Sequence, residues 1–114
     1  MEVIHVPEGL ALTESTYYIL LSLVRPQHGY GIMQQTEKMS AGRVRLAAGT
    51  LYGALNSLCE KGWILPLPRE DASRRKEYRL TEKGRQVLQT EILRLRELAD
   101  NGEKALGEAE AWKR

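Results

Sequence analysis

The sequence predicts a mainly α fold with a small β-hairpin and one long C-terminal helix, on three observations. Leu51, Leu55 and Leu58 recur at i, i+4 and i+7, the repeat of a helix buried along one side. Two short stretches, Trp63 to Leu67 and Glu77 to Leu80, flank a polar tip, and the second alternates with period two, as a hairpin does. No proline occurs from Thr81 to the end, and apolar residues from Leu88 onward keep a strict 4-3 spacing.

Residues 1–12 alternate weakly (Val3, Ile4, Val6) and contain Pro7 and Gly9, so they predict an extended arm. Thr13 then caps a first helix: Glu14 suits the positive end of its dipole, and Leu12 packs against Tyr17. This helix should run to about Val24, before Arg25-Pro26. After a turn at 26–29, Tyr30 to Met39 predicts a short second helix ending near Gly42. A third spans Ala48 to Lys61 and is stopped by Gly62. The hairpin follows, with Arg69 to Arg75 as its tip. Thr81-Glu82 opens a last helix of some 30 residues, about 45 Å long at 1.5 Å per residue. Three helices, a hairpin and a further helix are the order of a winged helix-turn-helix, here residues 13–80, with 81–114 as an appended C-terminal helix.

At 114 residues the chain fits one domain. Cys59 stands alone and cannot form an internal disulfide. No signal peptide is evident, and the longest apolar run, Tyr17 to Val24, is far short of a membrane span. These features predict a cytoplasmic protein. With two histidines and one cysteine, and no paired ligand spacing, no metal, cofactor or catalytic residue is assigned. Cys59, beside the leucine stripe, reads as an inert buried thiol.

Overall charge is nearly balanced, but its distribution is not. From Arg43 to Arg79 eight basic residues face four acidic ones, whereas from Thr81 onward the counts are seven and seven. The first pattern suits a polyanion partner, the second a solvated helix.

On a helical wheel the third helix turns Gly49, Gly53, Asn56, Ser57 and Glu60 away from its leucine stripe. A recognition helix needs a low polar face of this kind, because it must approach base edges closely. Asn can bond an adenine bidentately, and a Thr methyl can meet that of thymine. Asn56 and Thr50 are therefore the predicted readers, with Tyr52 reaching a phosphate. Arg74, Arg75 and Lys76 at the wing are predicted to lie along a phosphate backbone or minor groove. Tyr30, Gly49, Gly53 and Ser57 complete the predicted DNA-binding set. A polar helix face taken alone reads equally as ordinary surface, and an isolated basic triplet usually as a solvated loop; their combination favours double-stranded operator DNA. The rival reading is a winged helix used as a protein-interaction module.

His28-Gly29-Tyr30-Gly31, Gly49-Thr50-Leu51-Tyr52 with Leu55 and Leu58, Lys61-Gly62 and Tyr78-Arg79-Leu80-Thr81 together resemble the PadR family of bacterial regulators, over about residues 12 to 85. The single C-terminal helix resembles the family's smaller subgroup. The resemblance implies a homodimeric repressor that leaves its operator when a small, often aromatic, molecule binds. Two positions depart from the family pattern. Ala47 and Ala48 stand where a capping residue is common, and Gly53 where proline is frequent.

Leu88, Ile92, Leu95, Ala99, Gly102, Leu106 and Ala109 form a heptad seam on the last helix, predicted to dimerise the chain. Ala99 and Gly102 are weak core residues, so other elements should share the interface. An effector is expected between protomers near Leu12, Tyr17, Leu88, Ile92 and Leu95, although the last helix has no aromatic residue before Trp112 to stack on it.

Overall fold

A computed structural model describes residues 11–68 and 75–112. The expected N-terminal arm, apart from Ala11 and Leu12, and the hairpin tip with Arg74 lie outside the described residues. The elements, in chain order, are α1 (Glu14–Ser22), β1 (Gln27–His28), α2 (Gly29–Met39), α3 (Ala48–Glu60), β2 (Ile64–Pro66), β3 (Glu77–Leu80) and α4 (Glu82–Trp112).

Thr13 caps α1 as its sequence position demands, its hydroxyl accepting the Thr16 N–H at 3.2 Å. The helix stops at Ser22 rather than near Val24. The Leu23 N–H turns to the Leu20 carbonyl, tightening the last turn, and Val24 is left half-exposed beyond it. His28 caps α2, its Nδ1 accepting the Gly31 N–H at 3.1 Å, so this helix begins one residue earlier than expected. Ala47 precedes α3 with no side-chain cap. Gly62, at φ 75°, reverses the chain after α3, a left-handed conformation that favours glycine.

Gln27 and His28, expected as part of a turn, instead form a third strand. The sheet is antiparallel in the order β1-β3-β2. Gln27 pairs with Tyr78 and His28 with Glu77, while Ile64, Leu65 and Pro66 face Leu80, Arg79 and Tyr78. A two-residue strand carries no alternation of its own, so only its pairing reveals it.

The leucine stripe of α3 closes the core with Ile19, Leu20 and Leu23 of the α1 region, Ile32 of α2, Trp63, Ile64, Tyr78 and Leu80 of the hairpin, and Leu88 of α4. Gly84 is what lets α4 settle there. A Cβ at that position would overlap the Trp63 backbone carbonyl, which cannot yield as a flexible side chain can. Leu88 therefore belongs to its own chain's core, which leaves it little surface to offer a partner. Glu91 is buried beside it, receiving the Leu12 N–H at 2.8 Å and two hydrogen bonds from the Arg94 guanidinium. These bonds, Arg94 first and the Leu12 amide after it, hold the Glu91 carboxyl below its ordinary value against the opposing effect of burial. From Leu95 to Trp112 every residue is exposed, and α4 extends the molecule to 67 × 31 × 20 Å.

Candidate nucleic-acid interface

The face of α3 opposite its buried leucines consists of Gly49, Thr50, Tyr52, Gly53, Asn56 and Ser57, all exposed. A Cβ added at Gly49 or Gly53 would meet nothing within 4 Å. Packing therefore requires neither glycine, yet glycine in a helix interior costs about 0.5–1 kcal/mol relative to alanine. Their effect is to keep the helix surface low, so that another body can come close to the backbone between Thr50 and Asn56.

Tyr52, on the flank of this face, leans against the start of α2. Its hydroxyl lies only 2.6 Å from where a Cβ on Gly29 would be, and a Cβ on Gly31 would overlap the Gln27 carboxamide. The glycines of His28-Gly29-Tyr30-Gly31 thus make room for two polar side chains around the helix N-terminus. His28 accepts through Nδ1, which requires that nitrogen to be unprotonated.

The wing completes the site. Beyond the β2–β3 pairing, the Leu67 N–H bonds the Glu77 carbonyl at 2.9 Å, carrying the hairpin toward its tip. Arg75 lies 5.6 Å from the Tyr30 ring centroid and Lys76 5.6 Å from that of Tyr78, within cation–π range. Gly29, Tyr30, Tyr52, Arg75, Lys76 and Tyr78 line one open concavity of about 550 Å³. It combines two cations, three phenol groups and the positive end of the α2 dipole, a set suited to phosphate oxygens.

The structure thus brings Tyr30, Tyr52, Arg75 and Lys76 together in the concavity and leaves Gly49, Thr50, Gly53, Asn56 and Ser57 on the adjoining open face. Gly29 and Tyr78, outside the predicted site set, join them, and both stand in motifs of the sequence, His28-Gly29-Tyr30-Gly31 and Tyr78-Arg79-Leu80-Thr81. The basic stretch is not one surface, however. Arg43 pairs with Glu14 and Arg45 with Glu37, so these two charges are largely compensated within the fold. The Glu14 carboxylate also raises the Arg43 guanidinium further above its ordinary value. Cys59 is half-buried, and burial pushes its thiol up, which disfavours the reactive thiolate.

Residues 19–90 match the transcriptional regulator PadR-like family. The chain belongs to that family. Among solved structures, a PadR family regulator from Clostridium difficile is similar with a TM-score of 0.69 and 26% identity, over 82% of this chain and 99% of that one. The PadR family regulator from Eggerthella lenta matches at 0.66 and 26% over 80% of both chains. A PadR-like transcription factor from Bacteroides fragilis matches at 0.65 and 26%, over 80% and 87%. A curated relative, an uncharacterized 37.1 kDa protein in transposon TN4556 of Streptomyces fradiae, is 41% identical over 66 residues. These are 58% of this chain but only 18% of that protein's length. The fold is accordingly the winged helix-turn-helix of a PadR-like transcriptional regulator, with a long C-terminal helix. Among the described residues no helix is long and apolar enough to cross a membrane.

The PadR-like chain has a second concavity, of about 310 Å³, between the start of α1 and α4. It is lined by Leu12, Thr13, Glu14, Tyr17, Tyr18, Arg43, Glu91 and Leu95. Of the residues expected around an effector, Leu12, Tyr17 and Leu95 meet here. Leu88 does not, being sealed in the core, and Ile92 is half-buried outside the lining. The aromatic surface comes from α1: Tyr17 and Tyr18 stand edge to face with centroids 5.8 Å apart. The lack of aromatic residues along α4 is therefore no obstacle to stacking.

Proposed function

We propose that this PadR-like regulator is a homodimeric cytoplasmic repressor that binds an approximately palindromic operator and releases it when a small molecule enters beside α1 and α4. One observation carries the DNA reading: the glycine-lowered face of α3, which packing does not require, adjoins a concavity of tyrosines and cations. In this reading α3 lies in the major groove, with Asn56 and Thr50 on base edges. Tyr30, Tyr52, Arg75 and Lys76 hold the flanking phosphates, joined by Arg74 from the wing tip. The low face of Gly49, Gly53 and Ser57 allows the approach.

Dimerisation follows from α4, whose apolar positions Ile92, Leu95, Ala99 and Leu106 form a row that its own domain leaves largely uncovered. A two-fold axis would set the two recognition helices about one turn of B-DNA, roughly 34 Å, apart. The concavity around Leu12, Tyr17, Tyr18 and Leu95 sits beside that row, so closure by a second copy would change its shape. This supports a planar aromatic effector, stacked on tyrosine and tuned by Glu14 and Glu91.

Selection of bound fragments from genomic DNA, followed by titration across salt concentrations, tests the reading. Retention of fragments sharing an inverted repeat, with affinity falling steeply as salt rises, is the expected result. Absence of salt-dependent DNA binding would overturn it in favour of a protein-interaction module.

A further inference from the structure

The first turn of α3 is held by nothing within that helix. Ala47 precedes it without a side-chain cap, Ala48, Gly49 and Thr50 are exposed, and Leu51 is the first residue of α3 that the core buries. A helix start with neither cap nor buried side chain frays readily, and Gly49 adds backbone freedom to it. Asn56 stands differently, since it follows Leu51 and Leu55, both fully buried, and packing alone fixes its place. Where Thr50 stands is therefore decided by the connector that brings the chain from α2 to α3.

That connector is tied down at several points. Val44 is buried and its N–H bonds the Ser40 Oγ at 2.9 Å, while Leu46 packs against the core. Arg45 reaches back to Glu37 of α2 at 3.2 Å. Arg43 crosses instead to α1, where its Nε, at 2.8 Å, and its Nη2 both donate to Oε1 of Glu14.

The two arginine ties do different work. Glu37 belongs to the helix that the connector has just left, so its bond with Arg45 fixes only the turn. Glu14 lies 29 residues before Arg43, in the first turn of a helix that Thr13 caps. The Leu12 amide just ahead of it is bonded to buried Glu91. A line of contacts thus runs from Glu91 of α4 through Leu12 and Glu14 to Arg43, and gives the connector a reference point outside the helix-turn-helix. Both partners of the pair are exposed, so it adds little to stability. Both also line the concavity between α1 and α4, so an occupant of that concavity meets the tie directly.

We infer that Arg43, held by Glu14, is a positioning residue for the first turn of α3, and that it sets where Thr50 meets the operator without touching DNA itself. This rests on the operator-binding reading above and adds to it a link between the α1–α4 concavity and the recognition helix.

The test measures operator preference in full-length chains, as the ratio of affinity for a selected operator fragment to affinity for unrelated duplex. Glu14→Gln and Arg43→Gln should each lower this ratio about two- to fivefold, the range of a surface ion pair, and leave the salt slope unchanged. Removing the Glu14 charge favours every duplex by electrostatics alone, so a fall in preference points to lost positioning; an unchanged or raised preference overturns the inference. A salt slope reduced by about one in Arg43→Gln would make Arg43 a direct phosphate contact and overturn it too. Two double-mutant cycles locate the effect: Glu14→Gln should be non-additive with Thr50→Ala and additive with Asn56→Ala. Additivity in both, or the reverse pattern, would show that the tie does not place the first turn. Thermal melting should stay close to the parent's, and a loss of stability in proportion to the loss of preference would mark general damage to the fold instead. Absence of operator binding by the parent would remove the operator reading itself, whereas parental binding with unaltered variants removes only the positioning role.

Discussion

Replacing Gly53 by alanine separates what the fold needs from what DNA binding needs. The position lies inside α3, and an added Cβ meets nothing within 4 Å, so the methyl group enters open space. The free protein should gain about 0.8–1 kcal/mol, the helix-propensity difference between glycine and alanine. That corresponds to a rise in Tm of roughly 3–6 °C for a chain of this size. In the proposed docking on the operator, the same methyl would stand where the backbone approaches the DNA. Crowding of a close-packed contact costs about 1–3 kcal/mol, or roughly fivefold to 150-fold in Kd. Stability and affinity should therefore move in opposite directions. Thermal melting by circular dichroism measures the first, and fluorescence anisotropy on a labelled operator fragment the second. Gly53→Ala that melts higher yet binds as tightly as the parent would refute the argument that this glycine serves close approach. A fall in Tm would show instead that the position is packed.

Asn56→Ala should weaken operator binding by about 1–3 kcal/mol and relax the choice at one base pair. Arg75→Ala and Lys76→Ala should weaken all sequences alike and each reduce the salt slope by about one, measured by titration at several salt concentrations. Glu91 makes folding sensitive to acid. Its carboxyl is held below the ordinary carboxylate value, so its contribution is complete above that value and is lost as pH falls through the folded one. Glu91→Gln should accordingly flatten the acid limb of stability plotted against pH, and a limb identical to the parent's would count against this role. Removing residues 97–114 keeps Leu88, Glu91 and Leu95 and should leave a folded monomer without operator preference. A monomer of this kind that bound one operator at full affinity would show that α4 does not assemble the protein for DNA binding.

Periodicity made most of the architecture legible in advance. A leucine every third or fourth position must share one side of a helix whatever lies against it, and an alternating tetrapeptide beyond a polar tip must pair. The outer face of α3 was readable for the same reason, because burying one side of a helix defines the other. Tertiary structure alone decided what each face meets. Leu88 and Ile92 are successive members of one spacing, but the domain closes over the first and leaves the second at its edge. Glu91 looked like one more solvated charge of a balanced helix; it is buried because the chain 79 residues earlier returns to donate the Leu12 N–H. Arg43 and Arg45 counted toward a basic stretch until Glu14 and Glu37 met them across the fold. Local backbone geometry repeats along the chain and leaves a trace in residue spacing. The pairing of distant segments leaves none, because a carboxylate 79 positions away has the same chemistry whether it meets water or a backbone amide.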